Sequence, residues 1–236
     1  MFRHALLAAS SAAMLVFAGP ANALAAFDGF SFAEFGWESV PPDVSVFTDF
    51  GILDAGLSES GTGLVTEWAP GQFETATFVS TEGSVAGQAS APGGAASAFL
   101  LTDAFVSFAN EGSEAVTLSY AWRIGGFTQA LAETPATEVA EVGVLASIFG
   151  ELFDPAGAGA VLIDVEGFAF SNDFFAEDLF DEGGSGAITL EPGAVFDVFM
   201  TADQDGFAQA VPLPAAAPLL LAGLAAFGVA TARRRR

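Results

Sequence analysis

Between residues 26 and 210 the chain alternates apolar and polar residues in short runs broken by Gly, Pro, Asn and Asp, the period-two pattern of strands. The clearest run is Ala115–Ile124. Val116, Leu118, Tyr120 and Trp122 share one face, while Thr117, Ser119, Ala121 and Arg123 share the other, so one side is buried. Ala104–Ala109 precedes it, and Asn110-Glu111-Gly112-Ser113 between them has the turn chemistry of a hairpin. Further strands are predicted at Phe27–Phe35, Val44–Phe50, Leu64–Trp68, Phe73–Ser80, Val161–Phe170, Ala187–Leu190 and Ala194–Thr201, with a short final one at Phe207–Ala210. Thr137–Phe153 is ambiguous, because Val139, Val142, Leu145, Ala146 and Phe149 also fit one helical face.

Glu191-Pro192-Gly193 predicts a turn, and Ala91-Pro92-Gly93-Gly94 and Glu182-Gly183-Gly184-Ser185-Gly186 read as surface loops. No internal period is evident. About ten short strands in a body of ordinary domain size predict an all-β fold, a single antiparallel β-sandwich or jelly-roll-like domain. Of the 25 phenylalanines, 22 lie in this body and are expected mostly in its core, with Trp37, Trp68 and Trp122 structural as well.

The two ends break this pattern. Residues 1–25 join a short basic start, Arg3 and His4, to an apolar Ala- and Leu-rich run and the small-residue cleavage patterns Ala21-Asn22-Ala23 and Ala23-Leu24-Ala25, the plan of a secretory signal peptide. Residues 211–236 read VPLPAAAPLLLAGLAAFGVATARRRR. The stretch Ala215–Ala232 holds no charged residue, and at the helical rise it reaches about 27 Å, enough for a bilayer core. Arg233, Arg234, Arg235 and Arg236 then act as a membrane stop on the cytoplasmic side, which leaves residues 26–210 outside.

The three-part tail resembles the VPLPA type of PEP-CTERM sorting signals, matching letter for letter at Val211, Pro212, Leu213, Pro214 and Ala215. The resemblance covers the tail alone. It implies export through the secretion machinery, a precursor anchored in the inner membrane by a C-terminal helix, and recognition by an exosortase that delivers the body to the cell surface or extracellular matrix. It also implies an association with exopolysaccharide and biofilm. An ordinary single-pass anchor predicts the same topology. A Gram-positive LPxTG signal would need Thr and Gly after Leu213-Pro214, and a GPI signal would lack the terminal arginines.

Composition narrows the chemistry of the body. All 29 carboxylates fall between Asp28 and Asp205 against a single guanidinium, Arg123, a formal charge of −28. That field repels nucleic acid and anionic headgroups and attracts cations. With no cysteine or lysine anywhere and the one histidine at position 4, the body has no residues for disulfides, Schiff bases, His-dependent nucleophilic catalysis or ordinary zinc sites. Carboxylate pairs of the glycosidase kind remain, but nothing marks one pair among so many, and no catalytic residue or resident cofactor is expected.

Two acidic stretches suggest Ca²⁺ ligands. Asp203-Gln204-Asp205-Gly206 resembles the opening of a calcium loop, although the twelfth position of an EF-hand loop would fall on Pro214. Asp173, Glu177, Asp178, Asp181 and Glu182 form a dense acidic segment, for which a solvated loop is the plain alternative. Arg123 is expected in an ion pair on the polar face of its strand. The sequence therefore predicts a surface or matrix protein without catalytic activity, with a calcium-dependent carbohydrate-binding or adhesion module as the alternative and an acidic hydrolase as a third reading.

Overall fold

The computed structural model describes residues 24–90, 93–132, 138–155, 157, 159–172 and 176–210. They form ten strands: β1 (Leu24–Trp37), β2 (Val44–Ser60), β3 (Leu64–Thr75), β4 (Phe78–Ser90), β5 (Ala95–Asn110), β6 (Val116–Ala132), β7 (Glu138–Phe153), β8 (Ala160–Asn172), β9 (Ala176–Leu190) and β10 (Val195–Ala210). Among the described residues there is no helix long and apolar enough to cross a membrane. Residues 1–23 of the expected signal peptide 1–25 and the tail 211–236 lie outside the described residues, whereas Leu24 and Ala25 open β1.

The strands make two antiparallel sheets, ordered β3-β4-β1-β6-β9 and β2-β5-β10-β7-β8, which pack face to face as a sandwich. Alternation sets the layers. In β10, Phe196, Val198, Met200, Ala202, Gln204, Gly206 and Ala208 point inward, while Phe199, Asp203, Asp205 and Gln209 are exposed on the outer face. Only β3–β4 and β7–β8 are hairpins within one sheet; every other connection crosses between sheets.

Several sequence expectations are corrected by this arrangement. Phe73–Ser80 is not one strand, because Thr75 pairs with Phe78 around a two-residue connection, Ala76-Thr77, that lacks the usual turn residues. Asn110-Glu111-Gly112-Ser113 is not a hairpin but an arch from β5 in one sheet to β6 in the other. Buried Asn110 ties the arch: Nδ2 donates to the carbonyls of Glu114 (2.9 Å) and Leu190 (2.8 Å), and Oδ1 accepts from Gly112 N–H (3.0 Å). Gly183–Gly186 lies within β9, not in a loop, since Trp122 and Tyr120 of β6 occupy the space that side chains at Gly184 and Gly186 would need. The ambiguous segment 138–153 is a strand.

The interior holds two apolar clusters. One gathers Phe35, Trp37, Phe108, Leu118, Ile148, Leu190 and Phe196 with Tyr120 and Trp122 packed against it. The other is built from Ala25, Phe27, Val85, Ala89, Ala96, Ala98, Leu100, Ala130, Ala140, Val142, Ala208 and Ala210. Hydrogen-bonded polar residues lie between them. Gln204 Nε2 donates to Ser31 Oγ (2.5 Å), Ser31 Oγ donates to the Leu145 carbonyl (3.0 Å), Thr81 Oγ1 donates to Thr102 Oγ1 (2.8 Å), and Thr128 and Ser171 hydroxyls pair at 2.7 Å. Leu24, at the start of β1, and Ala210, at the end of β10, both lie at the alanine-rich pole, along with the turns that carry the positive φ of Gly61 and Gly93.

Candidate functional site

Asp203 and Asp205 do not sit in a turn. The stretch Asp203–Gly206 runs through the middle of β10 and pairs without a break to β5 and β7, so the two carboxylates stand side by side on the outer face of the second sheet. Gly206 is there for space, not for a bend: a methyl group on it would come within 2.1 Å of the Phe27 ring. Burial and the neighbouring Asp205 both push the Asp203 carboxyl above its ordinary value, and a hydrogen bond from the Gln204 N–H opposes them.

These two acids form one wall of a shallow groove of about 330 Å³, lined also by Glu141, Gly143, Leu145, Phe168, Phe170 and Phe207. Register explains its shape. Asp203 stands opposite Leu145, which stands opposite Phe168; Asp205 stands opposite Gly143, which stands opposite Phe170. Carboxylates on β10 and rings on β8 are thus two strand spacings apart, roughly 10 Å at the backbone. Gly143 supplies the floor between them, with the edges of both rings at ordinary contact distance from where its Cβ would be. The Phe168 and Phe170 rings lie nearly parallel, 11° apart with centroids at 6.3 Å, and both are exposed.

The second acidic stretch is dispersed by its strand. Asp181 points out from the first sheet and receives a two-pronged bond from Arg123, with Nε and Nη2 each 2.7 Å from its oxygens. This pairing holds the Asp181 carboxyl below its usual range and raises Arg123. The guanidinium also lies 5.2 Å from the centroid of Phe32. The expected ion pair on the polar face of β6 is therefore present. Asp178, three residues earlier, faces the opposite way, and its Oδ2 accepts from Phe170 N–H (3.2 Å) across the sandwich edge. Glu177 accepts from Gln129 Nε2 at 2.8 Å. Asp173 lies outside the described residues, as do Val211–Ala215 and Arg233–Arg236. Among the described residues no three metal-ligating side chains converge.

Phe168, Phe170 and Gly143 were missed by the sequence reading, which assigned most phenylalanines to the core. Among the described residues only Phe27, Phe35, Phe108 and Phe196 are buried, whereas Phe47, Phe73, Phe99, Phe153, Phe168, Phe170 and Phe199 are exposed. One signal was available: in Gly167-Phe168-Ala169-Phe170-Ser171 the small residues alternate with the rings, and an interior of small residues sends the rings outward. The chain matches no protein-family model and no curated protein.

Proposed function

We propose that this chain is an exported cell-surface or extracellular-matrix protein without catalytic activity, a jelly-roll-like acidic body delivered by exosortase processing of its tail. The observation that carries this reading is the ordered tail itself: Val211-Pro212-Leu213-Pro214-Ala215, an uncharged span, then Arg233–Arg236. The secretion machinery takes the chain out behind residues 1–25, the C-terminal helix holds it in the inner membrane, and the exosortase removes that anchor. Sheet-crossing connections support the jelly-roll description.

The fold is compatible with such handling. β10 ends at Ala210, one residue before the motif, and β1 begins at Leu24 at the same pole. A body entered and left at one pole sits directly on the surface that holds its tail. The start of β1 supports the earlier of the two cleavage patterns: Ala25 is fully buried and paired with both Ala89 and Ala132, so a cut after Ala23 would preserve the strand and a cut after Ala25 would remove its first two residues.

The test is processing. Intact mass of the native protein is expected to give a mature chain that starts at Leu24 and ends within the motif, and Pro212→Ala with Pro214→Ala is expected to leave uncut precursor in the membrane. Unchanged cleavage and location in that variant overturn the sorting reading. A second reading, a calcium-dependent binding module for extracellular polysaccharide, draws on the flat ring pair beside Asp203 and Asp205. Saturable Ca²⁺ heat that disappears in Asp203→Asn would favour it.

A further inference from the structure

The described residues contain one example of how this body holds a cation. On the outer face of the first sheet, the Arg123 guanidinium is forked onto the Asp181 carboxylate while lying over the Phe32 ring. The groove on the second sheet repeats those ingredients. It has carboxylates from Asp203, Asp205 and Glu141, and flat, exposed rings from Phe168 and Phe170. The single basic residue of the body is already engaged with Asp181, so a cation for this groove would come from outside the body.

We propose that the groove between β10 and β8 binds an arginine side chain of a partner polypeptide, with the guanidinium stacked on Phe168 and Phe170 and forked onto Asp203 and Asp205. Three physical features favour a planar cation. Two carboxylates side by side on one strand repel each other, and a shared cation relieves that repulsion where a neutral hydroxyl does not. Phenylalanine brings a ring face and no polar handle, which suits a cation that carries its own donors better than a sugar that needs them from the protein. A guanidinium is flat and weakly hydrated, so it stacks at lower desolvation cost than an ammonium. Gly143 puts no side chain between the carboxylates and the rings, whose nearest edges stand 3.6 Å (Phe170) and 3.8 Å (Phe168) from where its Cβ would be.

This inference does not depend on the sorting reading, and its test is separate from processing. Titration calorimetry would use the full chain in neutral detergent, carrying Arg233→Gln, Arg234→Gln, Arg235→Gln and Arg236→Gln so that its own arginines do not compete. The probe is a tetra-arginine peptide, with tetra-lysine and cellohexaose alongside. One saturable site is expected, stronger for arginine than for lysine and silent for the glycan. Asp203→Asn with Asp205→Asn, and separately Phe168→Ala with Phe170→Ala, are each expected to weaken arginine binding by about tenfold or more. Glu111→Gln with Glu191→Gln, which removes the same charge at the far pole, is expected to change it by less than about twofold. Gly143→Leu keeps every charge and ring but fills the floor, and is expected to abolish binding while the melting temperature holds. Equal losses in the two acid-removing variants would reduce the binding to diffuse attraction and overturn the proposal. So would glycan binding that needs the rings in the absence of arginine binding.

Discussion

The two poles of the sandwich share the same strands and the same alternation, yet they are filled by opposite means. At the pole away from the chain ends, Phe35 touches four rings, with centroids at 5.5 Å to Tyr120, 6.1 Å to Phe108, 6.2 Å to Phe196 and 6.3 Å to Trp37. At the pole where the chain enters and leaves, the interior is mostly alanine, and one ring, Phe27, lies in a slot cleared by Gly87 and Gly206. The first pole is held by large surfaces in mutual contact. The second is held by backbones with little between them. The difference teaches that a binary pattern sets which face is inside but leaves open how that inside is packed, and that the two poles should fail under opposite kinds of substitution.

The largest expected effect is truncation at the aromatic pole. Phe35→Ala removes the ring at the centre of that cluster and is expected to cost about 3–5 kcal/mol, read from urea unfolding. Next is addition at the alanine pole, where Gly206→Ala presses a methyl into Phe27 and is expected to cost about 1–3 kcal/mol. Phe27→Leu should recover part of that loss in a double-mutant cycle, whereas additive costs would refute the slot. Between the poles, Thr102→Val deletes the hydroxyl paired with Thr81 and is expected to cost about 1 kcal/mol, with equal urea dependence.

A further effect is one of pH, on the outer face near the alanine pole. Burial, with a smaller contribution from Glu67, pushes the Asp28 carboxyl from 3.8 up to about 6. The folded chain therefore keeps a proton that the unfolded chain has lost, and stability from this group falls as pH rises through that interval. Asp28→Asn is expected to raise the melting temperature at pH 7 and to lose that advantage below pH 3.8. Asp181 has the opposite sign, because its depressed carboxyl contributes stability that is lost as pH falls. A melting profile that rises steadily from pH 4 to pH 7 in both proteins would contradict the Asp28 account.

The all-β class and most strands were legible because alternation is set by burial, which is regular in β1, β4, β5, β7 and β10, though not in the largely exposed edge strands β2 and β3. In β6 the predicted inward set Val116, Leu118, Tyr120 and Trp122 is the observed one. What misled the reading was glycine. Gly184, Gly186 and Gly206 look like breakers in one dimension, yet each makes room for a ring, Trp122 and Tyr120 from the paired strand β6 and Phe27 from the facing sheet. The acidic residues were readable as a charge but not as a site. Facing direction separates Asp178 from Asp181, while pairing across two strands joins Asp203 and Asp205 to Phe168 and Phe170. The exposed phenylalanines escaped for a similar reason, since hydrophobicity alone does not say which of two apolar faces has a partner.

The first and last strands of the body are the middle strands of their sheets, β1 flanked by β4 and β6, and β10 flanked by β5 and β7. A chain built from its N terminus therefore leaves β5 and β7 each missing a neighbour until the 16 residues of β10 arrive to bridge them. Without β10 the second sheet is left as two separate strand pairs, β2-β5 and β7-β8, so its closure waits on the last strand of the body to be made.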